Sequence, residues 1–270
     1  MGEISLQDIM VSIKGAGEMA SGVAWRLWQA NIRRIFMLEI PQPLAVRRKV
    51  SFCEAIYDSR MEVDGVPACR VESGADIYRA WDKGCIAVSV DPRWKLIAEM
   101  APQVVIDAIL AKKNLGTGMN EAPLVIGLGP GFTAVEDVHL VIETNRGHNL
   151  GRVLVSGAAE ENTGIPGEIG GYAQERVLRS PGAGIFQTSG KIGDMVRRGE
   201  PVGDVGGRQV FAGVNGVIRG LLREGTEVDQ GAKLGDIDPR GEADYCYTVS
   251  DKALAIGGAA LEAILRVYNQ

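Results

Sequence analysis

Apolar positions along the first half of the chain switch between two periods. Ile9 to Ile13 is a short apolar run rich in β-branched residues, which predicts a buried strand. Beyond Gly15–Ala20, residues Met19, Ala20, Val23, Ala24, Leu27 and Trp28 recur at helical spacing. Arg34 to Ile40 predicts a second strand, ended by Pro41 and Pro43, and residues 44–57 read as a second helix. Asp64-Gly65 between Val63 and Val66 predicts a hairpin within 62–71. Ser73 is placed to cap a helix through Trp81, with Gly84 just past its end. A strand over 85–90, a helix over 94–100 and a strand over 104–109 follow, then strands at 124–128, 140–142 and 152–155. Such alternation over short connections predicts a parallel sheet with helices on both faces.

The pattern changes near Arg179. Residues 181–240 carry a glycine every few positions. Two stretches there resemble each other, GKIGDMVRRGEPVGDV (190–205) and GLLREGTEVDQGAKLGDI (220–237). A duplicated short-strand unit predicts a small pseudo-symmetric β-barrel or sandwich. Ala253, Leu254, Ile256, Ala260, Leu261, Ile264, Leu265 and Tyr268 return to helical register. The expected organisation is an α/β domain over 1–180, a β module over 181–240, and a C-terminal segment, 241–270, whose helix packs back on the first domain.

Composition narrows the function classes. The 270 residues suffice for one large domain or two modest ones. A formal net charge of -5 argues against a nucleic-acid-binding surface. No signal peptide and no apolar stretch of membrane-spanning length is visible, so a cytoplasmic protein without a membrane partner is expected. The 4 cysteines form no C-x-x-C pair, which disfavours a zinc knuckle and predicts reduced, mostly buried thiols. With 2 histidines, no multi-histidine metal site is expected. Glycine, at 36 residues, is roughly twice its average share, which implies many tight turns or close backbone approaches.

Gly15, Gly17 and Ala20 fit G-x-G-x-x-A, the dinucleotide fingerprint of Rossmann-like domains. Gly15 permits the strand-to-helix turn and Gly17 lets a phosphate approach the backbone. Ala20 and Gly22 let the helix pack close to the strand, and Glu18, in the same loop, is a candidate cofactor contact. The helix N-terminus offers amide groups to an anion. Glu39 closes the second strand, placed to accept from a ribose hydroxyl. Arg47 and Arg48 follow, a pair suited to phosphate. Lys112, Lys113 and Asn114 lie after the 104–109 strand, at the carboxyl edge where open sheets bind ligands. Gly129 and Gly131 are placed for an anion-binding nest. Asn145, Arg146 and His148 share the next loop and combine an amide, a guanidinium and an imidazole, a mixture suited to a polyanion or to proton transfer. Cys246 precedes Ser250-Asp251, where a thiol near a helix N-terminus could have a lowered pKa and act as a nucleophile.

Several of these stretches together, GAGEMASG (15–22), IDAILAKKNLGT (106–117), IGLGPGFTA (126–134), IETNRGH (142–148), NTGIPG (162–167), GDIDPRG (235–241) and SDKALAIGG (250–258), resemble the YqeB-type accessory proteins of selenium-dependent molybdenum hydroxylases. The resemblance implies a role in maturing such a hydroxylase, with a molybdopterin-type cofactor or a dinucleotide as ligand. The first domain is similar to XdhC-type maturation factors. Residues 181–240 resemble a barrel-sandwich hybrid of the biotinyl and lipoyl kind. The hairpin of that module, Gly206-Gly207-Arg208-Gln209, has no lysine, so no covalent biotin or lipoate is expected. A phosphate-bearing small molecule and a molybdenum hydroxylase are the implied partners, and exposed barrel edges leave room for a homodimer. Two other readings stay open: an NAD(P)-dependent oxidoreductase, which Glu39 and the fingerprint motivate, and a non-catalytic docking protein.

Overall fold

A computed structural model describes residues 5–269 of the chain. These residues divide into two compact units, one of residues 5–43, 51–162 and 249–269, the other of residues 44–50 and 163–248. This division departs from the expected bounds of 180 and 240, and it assigns the short segment 44–50 to the second unit.

The first unit is mixed α/β. Its strands are β1 Met10–Lys14, β2 Arg34–Glu39, β3 Arg60–Val63, β4 Val66–Val71, β5 Ile86–Val90, β6 Val104–Asp107, β7 Leu124–Leu128, β8 Thr133–Ala134, β9 Leu140–Ile142, β10 Val153–Leu154 and β11 Gly157–Ala158. Its helices are α1 Glu18–Gln29, α2 Ala55–Asp58, α3 Gly74–Asp82, α4 Lys95–Met100 and α5 Asp251–Tyr268. A 9-stranded sheet runs β10-β9-β7-β6-β1-β2-β5-β4-β3, and β8 pairs with β11. The seven inner strands pair in parallel, whereas β3 and β10 join the edges antiparallel. The chain builds outward from β1 through β2 and β5, then crosses back to place β6 on the other side of β1. That reversal between β1 and β6 is the kind of switch point where open sheets bind ligands.

Strand alternation divides the core. Phe36, Leu38, Ala87, Val105 and Val125 face Ile77 and Ala80 of α3 and Leu96, Ile97 and Met100 of α4. The intervening residues Val11, Ile13, Met37 and Ile106 are fully buried on the opposite face, where α1 and α5 pack together and α5 also covers β7 and β9. The predicted helix over 44–57 does not form. Single 3-10 turns at 48–50 and 52–54 lead into the short α2. The Val46 carbonyl instead accepts from the Leu221 amide, so tertiary pairing overrides local helical pattern.

Gly22 has a different reason from the one expected. A Cβ there would sit 2.6 Å from the Ala253 Cβ, so the glycine admits α5 rather than the strand. Gly257 answers it from α5, where a Cβ would lie 2.7 Å from the Gly22 carbonyl oxygen. Gly22→Leu is expected to destabilise the first unit by about 1–3 kcal/mol through overpacking. Tryptophan-fluorescence urea titration reads this unit selectively, because Trp25, Trp28, Trp81 and Trp94 all belong to it. An unchanged midpoint would refute the packing argument.

The second unit is all-β apart from a 3-10 turn at 48–50 and another, Ala243–Cys246. Its strands are β12 Val177–Arg179, β13 Gly184–Gln187, β14 Met195–Val196, β15 Pro201–Val205, β16 Arg208–Phe211, β17 Gly216–Leu221, β18 Glu227–Val228 and β19 Lys233–Asp238. They form two 4-stranded antiparallel sheets, β12-β19-β17-β14 and β16-β15-β13-β18. The sequence duplication explains this order. Exchanging β13, β14, β15 and β16 for β17, β18, β19 and β12 maps one sheet onto the other. Within each copy the two-residue strand leaves its neighbours and pairs with the other sheet, β14 with β17 and β18 with β13. Phe186, Val202, Val205, Val217, Ile218 and Ile237 fill the space between. Gly206 and Gly207, at φ 58° and 81°, make the tight turn between β15 and β16. Among the described residues, no helix is long and apolar enough to cross a membrane.

Candidate functional site

Parallel strands deliver their carboxyl ends to one edge. The loops after β1, β6, β7 and β9 therefore neighbour one another on the first unit, and glycines let each approach the next. Gly15, at φ +88°, has a conformation that disfavours any side chain, and a Cβ there would lie 3.3 Å from the Ala108 carbonyl oxygen. Gly131 is pressed against the Lys113 backbone, with 2.6 Å from a hypothetical Cβ to its Cα, and Gly129 against the Thr144 side chain. The Gly129 amide donates to the Ile142 carbonyl at 2.8 Å. Gly129 and Gly131, expected in an anion nest, thus serve loop-to-loop packing, and the Gly129 amide is occupied by that bond.

The turn between β1 and α1 is held from several sides. The Ala16 carbonyl accepts from the Cys53 amide at 2.9 Å and from the Ser21 hydroxyl at 3.1 Å. Glu39 accepts from the Ala16 amide through Oε1 and from the Ile40 amide through Oε2, both at 2.8 Å. Burial pushes the Glu39 carboxyl above its usual pKa, and the two amide bonds pull it back in part. The carboxylate expected to meet a ribose is thus fastened to the turn itself. Gly17, by contrast, has open space where a Cβ would stand, at the first turn of the 12-residue α1. Ala20 is fully buried behind it. Glu18 accepts from the Ser250 hydroxyl at 2.9 Å, which joins the start of α1 to the N-cap of α5.

Asn114, expected at a ligand, organises its own loop. Its side-chain oxygen accepts from the Gly116 and Thr117 amides at 2.8 Å and its amide group donates to the Thr117 carbonyl at 2.9 Å. Lys112 and Lys113 are exposed on that loop. After β9, Asn145 donates from its side chain to Glu160 at 2.7 Å, and Arg146 grips Asp251 with two bonds of 2.7 and 2.8 Å. His148 is exposed on the turn beyond them.

The sequence reading missed two cations on this edge, one buried and one half-buried. Lys14, the last residue of β1, is fully buried. It donates to Thr117 at 2.7 Å and pairs with Glu121 at 2.7 Å, and its ammonium lies 3.7 Å from the centre of the Trp94 ring. Thr117 in turn donates to Asp107 at 2.7 Å. Burial pulls the Lys14 pKa below the usual lysine value, against the hydrogen bond and charge of Glu121 and the charge of Asp107. Lys252, in the first turn of α5, is half-buried. Burial and the nearby Arg146 lower its pKa, while Glu18, Glu143 and Asp251 raise it. The signal for Lys14 was a charged residue ending an apolar strand. For Lys252 it was a cation beside a helix cap, inside a stretch already singled out.

Arg47, Arg48 and Cys246 lie in the second unit. Arg47 donates to the Tyr245 carbonyl at 2.9 Å and Arg48 to the Leu221 carbonyl at 2.7 Å, which makes both of them braces for that unit's backbone. Cys246 corrects a further expectation. Its thiol is fully buried, donates to the Ile218 carbonyl at 3.7 Å, and is pushed up in pKa by burial rather than lowered. An inert thiol of that kind is a poor nucleophile. No group of three or more histidine, cysteine, aspartate or glutamate side chains among the described residues could hold a metal ion.

No family model matches the chain. Over 261 residues, 97% of its length, it is 49% identical to the "Uncharacterized protein YqeB" of Escherichia coli K12. The alignment takes in 48% of that protein, so the chain spans about half the length of the curated relative it matches. Among solved structures, it is similar to the E. coli tRNA N6-threonylcarbamoyladenosine dehydratase TcdA at 12% identity and a TM-score of 0.33, over 98% of this chain and 90% of that one. An aspartoacylase family protein of Mesorhizobium loti gives 13% identity and a TM-score of 0.27, over 84% of each chain. At these scores the structural likeness carries no argument about ligand or reaction.

Proposed function

We propose, from the YqeB likeness that runs along nearly the whole chain, that this protein is a cytoplasmic accessory factor in the maturation of a selenium-dependent molybdenum hydroxylase. In this reading the first unit is Rossmann-like and binds a phosphate-bearing, molybdopterin-type cofactor at the carboxyl edge of its sheet, for selenium insertion or for delivery to the hydroxylase. The observation that carries it is the Gly15–Gly17 turn: it lies on the central strand, beside the reversal of strand order, with open space over Gly17. A phosphate there would meet the first amides of α1 and the positive end of its dipole. Lys252, Arg146 and the exposed Lys112 and Lys113 supply positive charge on the same edge. The second unit is a barrel-sandwich hybrid without a carrier lysine at its Gly206-Gly207 tip, hence a structural or docking module.

Binding of purified molybdopterin, NAD and NADP by titration calorimetry tests this. Gly17→Val is expected to weaken molybdopterin binding at least tenfold while the protein still folds, since a Cβ at Gly17 has no contact within 4 Å. Undiminished affinity would move the ligand elsewhere. A nicotinamide dinucleotide as the sole ligand would replace the maturation reading with an oxidoreductase.

A further inference from the structure

No pair of cysteines is close in sequence, yet the fold brings two sulfurs together. Cys69 lies in β4 and Cys85 immediately precedes β5. In the parallel register Ala68 faces Ile86 and Cys69 faces Ala87, so Cys85 is the diagonal neighbour of Cys69 on the same face of the sheet. Their Sγ atoms are 2.8 Å apart, with Cys69 as donor. The Arg60 guanidinium donates to the Cys85 sulfur at 4.0 Å, which places a positive charge beside the sulfur pair. Cys69 is half-buried and reachable, whereas Cys85 is 1% exposed. Cys53 and Cys246 are fully buried.

We propose that Cys69 and Cys85 are a redox dithiol that closes to an intramolecular disulfide on meeting a low-molecular-weight disulfide such as oxidised glutathione. Cys69, the exposed partner, attacks one sulfur of the oxidant as a thiolate, forming a mixed disulfide and releasing one small thiol. Cys85 then attacks the Cys69 sulfur through its thiolate, which breaks the mixed bond and releases the second. Each cysteine loses its proton, one S–S bond forms in the protein as one breaks in the oxidant, and two electrons reduce the oxidant to two thiols. The new bond ties β4 to β5 across the crossover that contains α3. Burial and the neighbouring Cys85 sulfur hold the Cys69 thiol above its usual pKa while Arg60 pulls it down, so closure accelerates as pH rises.

The folded protein is incubated with oxidised glutathione, alkylated, and analysed by intact mass and peptide mapping. Two of the 4 thiols should disappear, with one linked peptide containing Cys69 and Cys85. Cys85→Ser should stop at a single glutathione adduct on Cys69, and Cys69→Ser should keep all three remaining thiols free. Arg60→Gln, at an exposed position, should slow closure severalfold. Tryptophan fluorescence checks that each variant is folded. All four thiols surviving excess oxidant, a stable glutathione adduct on wild-type Cys69, or a linkage through Cys53 or Cys246 would each overturn the proposal.

Discussion

Lys14→Met is expected to destabilise the first unit by about 3–5 kcal/mol, the range for removing one partner of a buried ion pair. Methionine fills the space of the lysine stem, so lost volume is a small part of the effect. What remains is the Glu121 carboxylate without its 2.7 Å ammonium and the Thr117 hydroxyl without its donor, in a region where water is scarce. Charge, rather than packing, should therefore dominate, and replacing both partners, Lys14→Met with Glu121→Leu, should recover most of the loss. The pH dependence has a definite sign. Burial lowers the folded pKa of Lys14, so between that value and 10.5 the unfolded chain binds more protons. The contribution of Lys14 to stability thus rises with pH through that window, and the wild-type advantage over Lys14→Met should be larger at pH 10 than at pH 7. Tryptophan-fluorescence urea titrations at both pH values measure it; a single variant within about 1 kcal/mol of wild type would show that the buried pair is a weak contributor.

Asp238→Asn is the corresponding test in the second unit, with an expected loss again of about 3–5 kcal/mol. Asp238 is fully buried, accepts from the Arg240 side chain at 2.9 and 2.7 Å, and lies 3.5 Å from Arg219. Asparagine keeps the shape but removes the charge that balances these guanidiniums. Burial opposes ionisation of Asp238, yet the hydrogen bonds from Arg240 and the charges of Arg219 and Arg240 outweigh it and hold its pKa below the usual 3.8. Its stabilisation is therefore present above pH 3.8 and is lost as pH falls through the folded value. Hydrogen exchange of residues 216–238 between pH 2 and pH 7 reads this unit apart from the other. The wild type should lose protection at the acid end more steeply than the variant, and parallel acid limbs would contradict the assignment.

Both buried pairs were invisible to pattern reading for the same reason. A charge inside an apolar run reads as a strand end, because periodicity reports which face a residue takes and says nothing of what waits there. Lys14 finds its partners more than a hundred positions along the chain. Glu39 was located correctly at the end of β2, but its preference for the Ala16 amide depends on how far β2 extends beyond the turn. Cys69 and Cys85 escaped notice because parallel register, which no local spacing encodes, sets their diagonal contact. The glycines at 129 and 131 stood out, but their reason is the closeness of neighbouring loops rather than an exposed backbone.

Hydrophobic period and turn chemistry alone determined the strand-turn-helix around Gly15, the hairpin at Asp64-Gly65, the Ser73 and Ser250 helix caps and the duplicated β unit, because each is governed by interactions between residues within a few positions of one another. Tertiary structure decided the fate of residues 44–57, the exchange of short strands between the two β sheets, the burial of Cys246 and the neutralisation of Lys14 and Asp238. Those outcomes depend on which distant backbone or charge arrives alongside, and a burial cost of several kcal/mol per ion makes that arrival, rather than local preference, the controlling term.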